Sequence, residues 1–155
     1  MHQDLLLKTQ LNYSDKLENL FAIRLFKEIK KYCKIECDFN NDQFCAVDYK
    51  ITERNNPNNY IYLELKSRDK KYLKNKQMII GHPKMVRIDK CGFNECILVW
   101  NFEGPIYFYR YHTGLILSNQ KIIRNGAVIE IDKLDCDRGM KKLVFEIYEM
   151  LNIIN

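Results

Sequence analysis

Two β-rich runs on either side of an asparagine-rich turn constrain the fold of this chain more than any other feature. The runs extend from Phe44 to Thr52 and from Tyr60 to Lys66, and the turn between them centres near Pro57. β-Branched and aromatic residues favour strands, whereas Asn and Pro favour turns. The pattern therefore predicts an antiparallel hairpin whose loop is longer than the tight two-residue type.

The other segments alternate between helical and strand patterns. Apolar residues near a 3.6-residue period predict a first helix that begins at Ser14 as its N-cap and ends at Tyr32, and a last helix from Arg138 to Ile154. Between them the sequence predicts a short helix or helical turn at Met78–Ile88, interrupted near Gly81-His82-Pro83. It also predicts strands at Glu95–Phe102 and Ile106–Tyr111, and one or two edge strands within Gln120–Asp132.

This order of elements favours an α/β (α+β) fold, in which a central mixed β-sheet is flanked by helices. The chain has 155 residues, which is the size of one domain with one core, and it contains no recognisable linker. We therefore expect a single domain over 1–155.

Six cysteines raise the question of disulfides or a zinc site. We recognise no secretory signal and no apolar stretch of membrane-spanning length, so we expect an intracellular protein of the cytoplasm or nucleus, a viral source included, without membrane contact. A reducing setting favours free thiols. The spacings of Cys33 with Cys37 and of Cys91 with Cys96 lack the Cys-x2-Cys pairs of a zinc ribbon, which leaves structural zinc as the weaker alternative.

The basic residues are concentrated between Lys66 and Lys90. The whole chain has a net charge of only +5, but this segment carries seven further Lys and Arg residues against Asp69 and Asp89. Such a segment can hold phosphate groups electrostatically, although a solvated lysine-rich helix and loop would have the same composition. The nucleic-acid-binding residues that we predict within it are Arg68, Lys70, Lys71, Lys74, Lys84 and Arg87.

The predicted hairpin brings three ionisable side chains together. If its loop centres near Pro57, cross-strand partners have residue numbers that add up to about 113. Asp48 then lies opposite Leu65, between Glu64 and Lys66, which share one face of their strand because they are two residues apart. A shift of one residue would place Asp48 directly beside either of them.

This combination of residues is suited to a metal ion. Two carboxylates held together repel each other, and a divalent cation relieves that repulsion. Ligation by oxygen alone favours Mg²⁺, with Mn²⁺ as its substitute, over zinc. A lysine beside the ion can orient or deprotonate an attacking water, or stabilise the charge that develops on a phosphate.

Asp48, a hairpin and then Glu64-Leu65-Lys66 resemble the motif of the PD-(D/E)xK nuclease superfamily, which has the restriction-endonuclease-like fold. Members of that superfamily follow the order helix, three strands, helix, strand, and the resemblance covers about 14–112. The motif is short, so the hairpin and the order of elements give it its specificity. Val47 stands where the name of the family has Pro.

The resemblance implies a role for each matching residue. Asp48 and Glu64 would bind the metal ion, and Lys66 would assist the attacking water. Glu18 corresponds to the acidic residue of the first helix that some members add to the metal site. Lys84 corresponds to a basic or polar residue that several members place near the scissile phosphate.

We therefore expect a Mg²⁺-dependent nuclease that cleaves the phosphodiester backbone of nucleic acid. The expected substrate is DNA, and the protein would act as a single chain, as a homodimer or as part of a larger complex. Because phosphate contacts carry little sequence information, cleavage should depend on the structure or the ends of the substrate. The alternative is a catalytically silent protein of the same fold that binds nucleic acid or assists assembly.

Several residues also have simpler interpretations. Glu64 and Lys66 would ordinarily be solvated sheet surface, and Glu18 the border of an amphipathic helix. We expect His82 to be a turn residue and His112 to make a structural polar contact. The aromatic run Tyr107–Tyr111 is explained by core packing at least as well as by stacking on bases.

Overall fold

The computed structural model describes 13–36, 47–90, 95–112, 122–125 and 128–153. Within these ranges the chain forms three α-helices and nine β-strands. The helices are α1 (Tyr13–Ile29), α2 (His82–Lys90) and α3 (Met140–Met150). The strands are β1 (Cys33–Glu36), β2 (Tyr49–Glu53), β3 (Asn56–Ser67), β4 (Gln77–Gly81), β5 (Glu95–Asn101), β6 (Ile106–His112), β7 (Ile122–Asn125), β8 (Val128–Asp132) and β9 (Asp137–Arg138).

The described part of the chain contains a central six-stranded sheet in the order β1-β2-β3-β5-β6-β9. β3 and β5 are parallel, and the other neighbouring strands are antiparallel, so the sheet is mixed. A second sheet has the order β4-β8-β7. The predicted α/β (α+β) fold with a central mixed sheet and flanking helices is confirmed.

The two faces of the central sheet are buried in two separate cores. On one face α1 and α3 pack against Ile61, Leu63 and Leu65 of β3 and against Ile97 and Val99 of β5. On the other face, α2 and the small sheet pack against the alternate residues of β5, which are Cys96, Leu98 and Trp100. Because side chains alternate along a strand, Glu64 and Lys66 project toward this second face.

The first helix is shorter than predicted. α1 begins at Tyr13, so Ser14 lies within its first turn and is not the N-cap. α1 ends at Ile29, and a strand, β1, follows after a three-residue turn at 30–32. Cys33 and Ile35 of β1 alternate into the core, which makes an extended backbone the better way to bury them.

Two other predicted helices also have different bounds. The residues from Gln77 to Gly81 form β4 because they pair with β8, and α2 begins only at His82. The last helix begins at Met140, since Arg138 pairs with Tyr107 as part of β9. The predicted strands within Gln120–Asp132 are confirmed as β7 and β8, but of these only β7 is an edge strand, because β8 pairs with both β4 and β7.

The turn of the β2–β3 hairpin is tighter than expected. β2 ends at Glu53 and β3 begins at Asn56, so the turn consists of Arg54 and Asn55, and Pro57 belongs to the strand. The register shifts between Thr52 and Glu53, where Glu53 pairs with Asn56. Phe44, predicted as the start of the first run, lies outside the described residues.

Among the described cysteines, Cys33 and Cys96 are buried and Cys136 is half-buried, and all three are free thiols, as predicted. Cys37, Cys45 and Cys91 lie outside the described residues. None of the helices in the described ranges is long and apolar enough to cross a membrane.

Candidate active site

The β2–β3 hairpin brings Asp48 beside Glu64. Tyr49 pairs with Leu63, so the partner numbers add up to 112, one less than predicted. Asp48 lies immediately before β2, and its Oδ2 atom accepts a hydrogen bond of 2.8 Å from the backbone N–H of Leu65. The predicted proximity of the two carboxyl groups is confirmed, with the one-residue shift that selects Glu64 as the neighbour.

Glu64 is almost completely buried. Only 1% of its surface is exposed, and it pairs along β3 with Leu98 of the parallel strand β5. A carboxylate on the solvated surface of a sheet would be exposed, so that interpretation is wrong for Glu64. Burying a carboxylate is costly unless a partner or an ion compensates for the lost hydration.

Two lysines from different elements contact the buried carboxylate. The distance from Lys66 Nζ to Glu64 Oε2 is 3.4 Å, and the distance from Lys84 Nζ to Glu64 Oε1 is 3.3 Å. Lys66 comes from the same face of β3. Lys84 comes from α2, which is held over the sheet by its buried residues Met85 and Ile88.

The environment of Glu64 favours its neutral form despite the two lysines. The pKa of Glu64 is raised to about 8, mainly by burial and next by the negative charge of Asp48, while Lys84 and Lys66 act in the opposite direction. A hydrogen bond to the Asp48 carboxyl group also raises this pKa. Two carboxyl groups in such contact must share a proton or a cation.

A divalent cation fits these two carboxyl groups. Within the part of the chain that the structure describes, Glu64 Oε1 has no hydrogen-bond partner, although Lys84 Nζ lies 3.3 Å away. A buried oxygen without a hydrogen bond keeps its capacity to bind a ligand. Carboxylate oxygens are the ligands that Mg²⁺ and Mn²⁺ prefer.

Comparisons with protein-family models, with curated proteins and with solved structures gave no match.

The predicted third acidic residue, Glu18, lies on the first helix. Glu18 is half-buried on α1, and its backbone carbonyl accepts a hydrogen bond of 3.5 Å from Tyr49 Oη. Among the described residues, no three His, Cys, Asp or Glu side chains form a group that could hold a metal ion. The metal-binding role of Glu18 stays a prediction.

The predicted basic residues lie around the end of β3 and on α2. Arg68 follows β3 directly, and its backbone N–H donates to the carbonyl of Asn101. Lys70, Lys71 and Lys74 are exposed on a single 3₁₀ turn, Lys70–Lys74, after Arg68. Arg87 is exposed on α2. Lys84 differs from these, because it faces Glu64.

The remaining candidates have structural surroundings. Phe108 and Tyr111 are fully buried, and Tyr111 Oη donates a hydrogen bond of 2.8 Å to Asp89, which favours core packing for this aromatic run. His82 is the first residue of α2 and is half-buried. The side chain of His112 lies outside the described residues.

The contact between Lys84 and Glu64 was not predictable from local sequence. The resemblance placed Lys84 near a phosphate, but no local pattern pairs residues 20 positions apart on a strand and a helix. Cys96 was likewise missed as a neighbour of the site. Burial, and next the negative charge of Glu64, raise the pKa of the Cys96 thiol, so Cys96 lies beside the site as a neutral side chain.

Proposed function

We propose that this chain is a metal-dependent nuclease that hydrolyses phosphodiester bonds. One observation carries the proposal: Asp48 and the buried Glu64 lie side by side, with Lys66 and Lys84 both within 3.4 Å of the Glu64 carboxylate. A purely structural ion pair needs one lysine for one carboxylate. Two acids and two lysines around one buried point are suited to binding a cation and an anion together.

The formal charges of the site support an anionic substrate. With both carboxyl groups ionised, Asp48 and Glu64 balance Lys66 and Lys84. Binding of a divalent cation leaves the site with two excess positive charges. A phosphodiester and an attacking hydroxide carry the opposite charge, and a largely desolvated site strengthens that attraction.

Each residue has a role in this proposal. Asp48 and Glu64 would hold Mg²⁺ or Mn²⁺. When bound, such an ion supplies Lewis-acid activation of water and of the phosphate. Lys66, in its charged form, would orient the attacking water and stabilise the negative charge that develops on the phosphate oxygens. The new bond joins the water oxygen to phosphorus and one ester P–O bond breaks. The attacking water gives up a proton to the solvent, and the leaving oxygen takes up a proton from the solvent.

The arrangement of the elements also supports the resemblance to the PD-(D/E)xK nuclease superfamily. α1 is followed by the three strands β1, β2 and β3, and then, after β4 of the second sheet, by α2 and β5. Asp48 precedes the second of these strands, and Glu64 and Lys66 lie on the third. Apart from the additional strand β4, this order agrees with the one that the resemblance implies.

Nucleic acid is the substrate that the surrounding charge supports. Lys70, Lys71 and Lys74 are exposed next to the C-terminal end of β3, and Arg87 is exposed on the helix that carries Lys84. These side chains can bind phosphates on either side of the scissile bond, without reading the bases. We propose that the substrate is DNA. The protein would cleave it as a single chain, as a homodimer or as part of a larger complex.

The test is cleavage of labelled single-stranded, duplex and branched DNA in Mg²⁺ or Mn²⁺, with RNA of the same sequences alongside. Asp48→Ala should lower the rate at least about 100-fold, because a ligand of a catalytic ion contributes several kcal/mol to transition-state stabilisation. Asp137→Asn is the matched control, since Asp137 is an exposed acid on β9, paired with Lys142 at the far edge of the sheet.

Full metal-dependent cleavage by Asp48→Ala would refute the proposal. If neither protein cleaves and both bind DNA, the chain is the silent nucleic-acid-binding or assembly protein, and the four charged groups are a structural cluster.

A further inference from the structure

A pocket lies on the same face of β3 as Glu64, beyond Lys66. Its cavity volume is about 340 Å³, which is within the range of small-ligand pockets. Lys66 pairs with Trp100, and the indole of Trp100 lines the pocket. Arg68, two residues after Lys66, is another lining residue, about 13 Å along the strand from Glu64.

The pocket combines an apolar floor with a polar, exposed rim. Trp100, Met78 and Phe102 form the floor and are buried. Trp100 is held in place by a hydrogen bond of 3.0 Å from its Nε1 atom to the carbonyl of Ile79. Tyr72 on the rim is 43% exposed, so the cavity opens to solvent beside an accessible aromatic ring.

Tyr72 is held by the backbone around it. The Asp69 side chain accepts a hydrogen bond of 2.9 Å from the backbone N–H of Lys71, at the start of the 3₁₀ turn. The N–H of Asn75 donates to the carbonyl of Tyr72 at the end of that turn. These bonds fix the backbone that carries the exposed ring of Tyr72, so the turn itself loses little conformational entropy when a planar ligand stacks on the ring.

The polar lining residues match the edge of a nucleobase. The amide side chains of Asn75 and Gln77 each carry hydrogen-bond donors and an acceptor. The guanidinium of Arg68 is a planar cation that can stack on a base or bind a phosphate. The 66–76 segment contains six basic residues and a single acid, Asp69, so the ligand should carry negative charge.

We propose that this pocket binds an unpaired nucleobase of the nucleic-acid substrate, with Tyr72 as its stacking surface. The identity of this polymer rests on the proposed nuclease function. A base within a duplex is stacked and paired and cannot enter the pocket. The pocket therefore selects single-stranded or branched substrates, and it directs the strand from the pocket past Lys66 to Asp48 and Glu64.

The test is binding without metal, so that cleavage does not contribute. Fluorescence anisotropy in EDTA compares a labelled thymidine oligonucleotide of about ten nucleotides with an abasic backbone of the same length. The two polymers carry the same phosphates, so the basic residues bind them equally. Wild type should bind the thymidine polymer about 5- to 150-fold more tightly, which is the effect of stacking one base.

Variants of two tyrosines locate the effect. Tyr72→Ala should abolish the preference for the polymer with bases, and Tyr72→Phe should retain it. Tyr60→Ala is the matched control, because Tyr60 is 41% exposed and its ring contacts Lys50, as the ring of Tyr72 contacts Lys71, but it lies in the N-terminal half of β3. It should leave the preference as in the wild type.

Intrinsic fluorescence gives a second measurement. Trp100 is the one Trp of the sequence and lines the pocket, so the thymidine polymer should change its emission and the abasic polymer should not.

Equal binding of the two polymers by wild type, no binding of either, or an unchanged preference in Tyr72→Ala would overturn the inference. Failure of the nuclease proposal has a different result: no cleavage in Mg²⁺ or Mn²⁺, with the Tyr72-dependent preference still present in EDTA.

Discussion

The backbone N–H of Leu65 donates a hydrogen bond of 2.8 Å to the Oδ2 atom of Asp48, which lies just outside the strand pairing of β2. Leu65 is the residue that directly follows Glu64 in the chain. One hydrogen bond thus fixes the position of one carboxyl group relative to the other. The Oδ2 atom of Asp48 accepts that hydrogen bond, and the negative charge of Asp48 raises the pKa of Glu64.

Asp48→Asn should separate these two contributions. Asn retains an oxygen that can accept from Leu65, so without metal the melting temperature should stay close to that of the wild type. The negative charge is lost, and so is affinity for the cation. At about 100 times the dissociation constant, Mn²⁺ should raise the melting temperature of the wild type by about 5–10 °C, and that of the variant far less.

The control for Asp48→Asn is the exposed Asp137→Asn, which should keep the full effect of Mn²⁺. Thermal unfolding followed by circular dichroism, with EDTA and with Mn²⁺, measures both differences. An equal rise in Asp48→Asn and wild type would place the ion elsewhere.

Glu64→Gln should change how stability depends on pH. The pKa of Glu64 in the folded chain is about 8, against 4.5 for an ordinary glutamate, so the fold favours the protonated side chain. This stabilisation is complete below pH 4.5 and is lost as the pH rises through 8. Gln imitates the protonated form and does not titrate.

Without metal, the melting temperature of Glu64→Gln should therefore rise relative to that of the wild type between pH 5 and pH 9. The free energy involved amounts to as much as several kcal/mol. The exposed Glu103→Gln is the control and should follow the wild type at every pH. A constant difference between Glu64→Gln and wild type across this range would contradict the pKa of Glu64.

The centre of the site was predictable because it depends on local geometry. Asp48 and Glu64 lie on the two arms of one hairpin, and strand alternation alone puts Glu64 and Lys66 on the same face. The register was wrong by one residue because the turn lies at Arg54 and Asn55, with a shift in pairing beside it. The burial of Glu64 was not predictable, since the residues that cover it belong to other elements, which pack on this face of the central sheet.

The missed parts of the fold depend on contacts between distant residues. Met78 and Ile80 fit either a short helix or a strand, and their pairing with Ile131 and Ile129 of β8 decides for the strand. β1 was overlooked because four residues after a helix carry little periodicity, and it forms by pairing with β2. The contact of Lys84 with Glu64 requires both β4 and α2 to be in place.

Lys84 should affect Glu64 more than Lys66 does. Both ammonium groups lower the pKa of the Glu64 carboxyl group, and Lys84 has the larger effect. Lys84→Met should therefore raise the pKa of Glu64 further, and Lys66→Met should raise it by less. The long unbranched side chain of Met keeps most of the packing while it removes the charge.

Carbon-detected NMR titration of the glutamate carboxyl groups without metal measures this pKa directly, and Glu64→Gln assigns the signal. Lys142→Met is the matched control, because Lys142 forms an exposed ion pair of 2.8 Å with Asp137 on the far side of the sheet. It should leave the Glu64 titration unchanged. If Lys84→Met also leaves the titration unchanged, α2 does not hold its lysine against Glu64, and the charge balance of the proposed site loses one of its four members.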